Sequence, residues 1–290
     1  MDTTTTSDIT PPADGTAPAT TPATTTSADG TRIAVQAQGD GDPVVLIGGA
    51  FNDRSTMTAL AAQLRQAPAG LATVQYDRRG RGDSGPIVGS PTAEQRLAQE
   101  LADLQAVLDS VGGSAHVFGH SSGGVLALEA AARGLPVTRV AVYEPSFVLA
   151  GTREQPAADL GERIAAVVAA GDHDSAVALF LLEAVGLPAA YLDGMRQDPA
   201  TWSGMTALAH TLPNDLALHE PGHPVPLSLQ RIACPTLALD GGASPDWARL
   251  AVAAVADAVP GAQHRTLPGQ DHAVLWAPEP LIAPLSDFFA

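Results

Sequence analysis

The segment Phe118-Gly119-His120-Ser121-Ser122-Gly123-Gly124 constrains the fold of this chain more than any other. Ala115 to Phe118, just before it, is an apolar run that reads as a strand. Gly123 to Ala132, just after it, is rich in small residues and reads as a helix. A serine at such a junction fits a tight turn that holds Ser121 in a strained backbone state, with Gly119 and Gly123 avoiding steric clash. The turn would lift the Ser121 hydroxyl above a sheet. It would also set the N–H of Ser122 at a helix N-terminus, where it can stabilise an oxyanion. Gly-x-Ser-x-Gly also occurs in ordinary Gly/Ser loops, and the flanking strand and helix are what distinguish this one.

The same alternation runs along the chain. Asp29-Gly30 is a hairpin signal, because its turn needs positive φ angles that Asp and Gly tolerate. Arg32 to Gln36, Val44 to Ile47, Leu71 to Tyr76, Val137 to Tyr143, Thr236 to Leu239 and His264 to Leu267 read as strands. Ala93 to Val111 reads as a helix, with Leu97, Leu101, Leu104 and Leu108 recurring at helical spacing. Trp247 to Val259 and Leu281 to Phe289 read as further helices. Strands alternating with helices predict an α/β fold: a mostly parallel, doubly wound sheet with helices on both faces. Residues 145–230 interrupt the pattern with helical composition and Pro/Gly punctuation. The expected organisation is therefore a core of 23–144 and 231–290, with 145–230 inserted as a helical lid over the sheet's C-terminal edge, where such folds bind ligands. Residues 1–22 form a Thr/Pro/Ala tract with little to bury, expected to be a disordered tail.

Composition narrows the function classes. Across 290 residues, 45% are hydrophobic, enough for a sizeable core, while only 4% are aromatic, so Ala, Val and Leu must build it. Every basic residue is Arg, and the formal net charge is −16, which disfavours nucleic acid and anionic membrane surfaces as partners. A single cysteine, Cys234, excludes an intrachain disulfide framework and reads as a small buried hydrophobe. No apolar run is long enough for a membrane helix, and the start lacks the basic and apolar regions of a secretion signal. The default expectation is a cytoplasmic protein. Oligomeric state is not fixed by the sequence.

From about residue 24 onward, the chain resembles α/β-hydrolase-fold proteins. The Ser121 turn carries the likeness first. Ile47-Gly48-Gly49-Ala50-Phe51 resembles the family's first oxyanion loop, with Gly48 where His is usual. Tyr76-Asp77-Arg78-Arg79-Gly80-Arg81-Gly82-Asp83-Ser84 resembles its turn after the fourth strand. Gly269-Gln270-Asp271-His272 resembles the loop bearing its histidine. The resemblance implies that Ser121 is a nucleophile and His272 its base, with backbone N–H groups of Ala50 and Ser122 as oxyanion donors and Phe51 next in line. It implies no cofactor and no metal.

The acid that should orient His272 is displaced. In most relatives it stands three residues after a Gly beyond the strand that here reads Thr236 to Leu239. Counting from Gly241 reaches Ser244, which carries no charge. Asp240 lies early, and Asp246 lies late, at a helix start with Pro245. Glu144 ends the strand before the insertion, and some members, including zearalenone-type lactone hydrolases, are similar in placing a Glu there. Glu144 is the leading candidate, with Asp246 the alternative and Asp240 or no acid behind it.

The resemblance points to a serine esterase or lactonase acting on a small apolar molecule. Non-hydrolytic tailoring chemistry (a cyclase or C–C lyase) and a ligand-binding degenerate member are the alternatives on the same fold. Phe51, Phe147, Trp202 and Met205 are candidate substrate-binding residues, with packing as the competing role. His120 reads as packed and hydrogen-bonded. Two motifs are lures. Gly80-Arg81-Gly82-Asp83-Ser84-Gly85 matches a dinucleotide fingerprint, but Pro86 follows and no helix begins. Asp77, Arg78 and Asp83 are expected to brace that turn instead. His219-Glu220-Pro221-Gly222-His223 matches a zinc-protease pattern, but Pro-Gly breaks the helix the pattern needs.

Overall fold

The computed structural model describes residues 23–219 and 225–290. The tract 1–22 and residues 220–224, with Glu220 and His223 of the zinc-like pattern, lie outside the described residues. Eight strands form one sheet: β1 (Ala23–Thr26), β2 (Arg32–Gln38), β3 (Pro43–Ile47), β4 (Ala72–Tyr76), β5 (Ala115–His120), β6 (Val137–Tyr143), β7 (Thr236–Gly241) and β8 (Gln263–Leu267). Their order is β1-β2-β4-β3-β5-β6-β7-β8. β1 and β2 pair as the antiparallel hairpin that Asp29-Gly30 announced, with Gly30 at φ 85°. β2 meets β4 antiparallel, and every pair from β4 to β8 is parallel.

The apolar runs of the central strands are continuous because those strands are covered twice, and alternate residues enter different cores. Val45, Ile47, Val117, Val140 and Val142 face one cluster, shared with α2 (Ala93–Ser110), α3 (Ser122–Ala132) and α9 (Asp246–Ala258). Val44, Leu46, Phe118, Ala141 and Leu239 face the other, shared with α1 (Thr58–Gln66) and α10 (Glu279–Phe289). α2 begins at a capping box in which Thr92 and Gln95 satisfy each other's backbone N–H groups.

Between β6 and β7 the chain forms α4 (Leu160–Ala169), α5 (His173–Leu179), a wider turn over Phe180–Val185, α6 (Ala189–Arg196), α7 (Pro199–Leu208) and α8 (Leu212–Ala217). These helices bury a small core of their own, including Leu160, Ile164, Val177, Phe180 and Leu212. Ala50 and Phe51, from the loop after β3, pack onto that core, so the insertion sits on the C-terminal edge of the sheet. No helix among the described residues is long and apolar enough to cross a membrane.

Candidate active site

Among the described residues, three non-glycine residues have positive φ: Phe51 (60°), Ser121 (56°) and Glu144 (42°). Such conformations cost roughly 1–3 kcal/mol each and persist where surrounding structure over-determines them. All three stand just beyond the C-terminal ends of neighbouring strands β3, β5 and β6. Packing enforces the turn at Ser121. A Cβ on Gly119 would stand 2.3 Å from the Gly123 carbonyl oxygen, and one on Gly123 would stand 2.4 Å from that of Ile47. A Cβ on Gly49 would meet the Ser121 Cβ at 2.8 Å, so the β3 loop lies directly against the serine. Ser121 occupies the N-cap of α3, yet its hydroxyl makes no capping bond. The N–H of Ser122 begins the helix, at the positive end of its dipole.

Register brings Ser121 and Glu144 together. His120 pairs with Tyr143 across β5 and β6, and the Ser121 N–H donates to the Tyr143 carbonyl at 3.0 Å. Glu144, the next residue, is 3% exposed. Its Oε2 lies 2.8 Å from His272 Nδ1, and its Oε1 accepts the Gly241 N–H at 2.9 Å. Burial pushes the Glu144 carboxyl up, but the hydrogen bonds to His272 and from the Gly241 N–H outweigh it and hold the group below its usual range. Ser244, the position reached by counting from Gly241, is buried.

The loop bearing His272 is fastened from several sides. Tyr143 Oη donates to the Asp271 carbonyl at 2.8 Å, and Ala243 N–H donates to the Gln270 carbonyl at 2.8 Å. His120 Nε2 donates to the His272 carbonyl at 2.9 Å, and the two imidazole rings lie 4.7 Å apart. The hydrogen bond expected of His120 is therefore made to the histidine loop itself. Burial, then the neighbouring His272, lowers the His120 pKa to about 3, so its ring is neutral.

The other carboxylates are elsewhere. Asp246 is the first residue of α9, with its side chain exposed and 3.9 Å from Arg249. Asp240 is buried and meets His264 Nε2 at 2.6 Å. Trp202 and Met205 pack on the insertion's core beside Phe51, while the Trp202 indole N–H donates to Asp174 at 2.7 Å. Phe147 does not join them. It is 2% exposed in the main core, edge-on to His219 with ring centres 5.8 Å apart. A tight turn, with the Phe147 N–H donating to the Pro145 carbonyl at 2.7 Å, returns its side chain under the sheet edge. Cys234 is half-buried. His219 pairs with Ser146 at 3.1 Å.

The turn after β4 is braced more widely than expected. Asp77 accepts from the Arg54 side chain and from the Asp83 N–H at 2.9 Å, and Arg54 also reaches Asp83 at 2.5 Å. Gly82 is required there, since a Cβ would stand 2.2 Å from the Asp77 carboxylate. After β4 no helix begins until Ala93, so the glycine pattern lacks the helix of a dinucleotide site. Arg78 and Arg81, each nearly inaccessible, turn inward to Asp215 on α8. Sequence reasoning missed Asp215. It is one acid in a Pro-Asn-Asp-Leu run, and nothing local marks it.

This architecture, with a strained serine after β5 and a histidine after β8, defines a protein class. The model of the alpha/beta hydrolase family matches residues 44–283, and the chain belongs to that family. It is similar to the crystal structure of an alpha/beta hydrolase from Sphaerobacter thermophilus: 42% identity, TM-score 0.81, covering 92% of this chain and 100% of that one. A hydrolase from Pseudomonas aeruginosa shares 24% identity (TM-score 0.73, 93% and 98% covered). The enol-lactonase of Burkholderia xenovorans shares 19% (TM-score 0.66, 90% and 97% covered), a likeness of fold. No curated protein sequence matches the chain.

Proposed function

We propose that the chain is a serine hydrolase that cleaves a carboxylic ester or lactone of a small, largely apolar molecule. The observation that carries this reading is the 2.8 Å contact from His272 Nδ1 to the buried Glu144, on a loop fastened beside the strained Ser121. Glu144 accepts the Nδ1 proton, which leaves Nε2 as the basic nitrogen. Nε2 takes the Ser121 proton as the hydroxyl oxygen attacks the carbonyl carbon. The N–H groups of Ala50 and Ser122 hold the oxyanion. His272 returns the proton to the leaving alkoxide as the acyl–oxygen bond breaks. Water, deprotonated by His272, then releases the acid and regenerates Ser121. Glu144 stabilises the imidazolium in both halves of the cycle. No step calls on a metal or cofactor.

The insertion serves as the lid. Phe51, Trp202 and Met205 offer the acyl or alcohol portion an apolar wall. A net charge of −16 favours a neutral substrate over an anionic one. The test is turnover of chromogenic short-chain esters and lactones, together with labelling by a fluorophosphonate probe. Wild-type protein should turn over and label, and Ser121→Ala should do neither. A wild-type chain that neither labels nor cleaves any ester would refute the reading.

A further inference from the structure

Beneath the Ser121 turn lies a buried set of charges. Asp215, on helix α8 of the insertion, is 1% exposed. Its Oδ1 accepts from Arg78 Nη1 at 2.7 Å, Arg81 Nη2 at 2.8 Å and the Ser122 hydroxyl at 2.7 Å, and its Oδ2 accepts from Arg81 Nη2 at 2.8 Å. Arg81 Nη1 continues to the Gly49 carbonyl at 2.5 Å and the Asn52 carbonyl at 3.0 Å. Arg78 is neutralised from its other side by Glu100, at 3.0 Å through both Nε and Nη2.

The bond to the Gly49 carbonyl matters because that carbonyl and the Ala50 N–H belong to one peptide unit. A trans peptide is planar, so its C=O and N–H point in opposite directions. Fixing Gly49 O against Arg81 aims the Ala50 N–H away from Arg81, and a charged donor on the carbonyl polarises the N–H further. The same carboxylate fixes the residue that supplies the other donor, through the Ser122 hydroxyl. We propose that Asp215 is a positioning residue that aligns both halves of the oxyanion hole, the Ala50 peptide through Arg81 and Ser122 directly. This inference rests on the serine-hydrolase reading above. It adds that the insertion supplies part of the catalytic geometry as well as a cover.

Buried charges of this kind are held in one arrangement because each is costly without its partners. Removing the Asp215 charge leaves two guanidiniums facing each other with Glu100 alone to balance them. Arg81 then shifts and releases the Gly49 carbonyl.

The test compares wild type, Asp215→Asn, Ser122→Ala and the double variant Arg81→Met/Asp215→Leu. The double variant removes one charge of each sign, and apolar replacement of a buried pair is often neutral for stability. It therefore stays informative if Asp215→Asn does not fold. Asp215→Asn and the double variant should lose about 10–100-fold in kcat, part of the loss seen when an oxyanion donor is deleted. KM should be little changed. Affinity for a boronic acid, whose adduct mimics the tetrahedral intermediate, should fall in step with kcat. Ser122→Ala should show the same pattern to a smaller degree. A folded double variant with wild-type kcat and boronate affinity would overturn the proposal while leaving the hydrolase reading intact. A wild-type chain without esterase activity or labelling would overturn both.

Discussion

Glu144 and His272 stand 128 positions apart in the chain, and their side chains meet at 2.8 Å. The contact is possible because Glu144 directly follows β6, the strand beside the one that presents Ser121, while the histidine loop folds back across β7. The carboxylate reaches the imidazole from one strand nearer the serine than the β7 position would. The end of β7 keeps a supporting part, donating the Gly241 N–H to the carboxylate.

Replacing Glu144 by Gln should therefore lower kcat on a cleavable ester by about 10³–10⁴-fold, as loss of an orienting carboxylate does in related arrangements. Asp246→Ala should leave turnover unchanged, since that side chain is exposed on α9. Steady-state kinetics on both variants checks the assignment, and a slow Asp246→Ala with a fast Glu144→Gln would reverse it.

The glycine after Ser122 is demanded by backbone, not by side chains that could move aside. Gly123→Ala would place a methyl 2.4 Å from the Ile47 carbonyl oxygen, whereas Gly124→Ala meets its nearest atom, the Gly119 oxygen, at 3.1 Å. Urea denaturation should show a loss of about 2–3 kcal/mol or more for Gly123→Ala and a clearly smaller one for Gly124→Ala. Equal losses would contradict this ranking.

Ion pairs in this chain should differ sharply in worth. Arg79, 2% exposed, is held by Asp103 through two bonds of 2.7 and 3.0 Å. Asp103→Ala should cost about 2–3 kcal/mol, the loss of two charged bonds in the interior, while Asp29 still holds Arg79 Nη1 at 2.6 Å from the rim. Arg249, in a 3.9 Å pair with Asp246 that is exposed on both sides, should be replaceable by Ala within about 0.5 kcal/mol. Chemical denaturation of the two variants makes the comparison.

Acid should destabilise the fold through neutral buried histidines. Burial lowers His120 from 6.5 to about 3 and His219 to about 4. Because the folded values lie below the unfolded ones, the unfolded chain binds more protons across that window. Stability is complete above about pH 6.5 and falls as pH drops toward 3. Tm should already decline between pH 7 and 5. His120→Gln, which keeps an N–H donor for the His272 carbonyl, should decline less steeply. Identical slopes would exclude His120 as a source.

Much of this was readable in advance, and the exceptions have physical causes. The central strands announced themselves as apolar runs because both faces are covered, and α2 through its leucine spacing, whereas β1, an exposed Ala-Thr edge strand, went unread. Helix α1 went unread although Met57, Leu60, Ala61 and Leu64 fall at helical intervals and are all buried. The strained turn at Ser121 was legible locally, and the approach of Glu144 to His272 from a place just past a strand end. Phe147 was misplaced because an apolar residue type does not say whether it faces a cavity or a core. Asp215 was invisible because its meaning lies wholly in which helix folds over which turn. Arg78, placed in the brace of its own turn, proved to span from α2 to α8.

The dependence of two interior guanidiniums on a carboxylate from α8 has a bearing on engineering. Segments between strands are the usual targets for trimming a catalyst or for exchange between relatives. Here, cutting out 145–230 would leave Arg81 without its counter-ion and Arg78 with Glu100 alone, and would loosen the Gly49 loop that Arg81 grips. A miniaturised or chimeric version must bring an acid to that spot or surrender Arg81 with it.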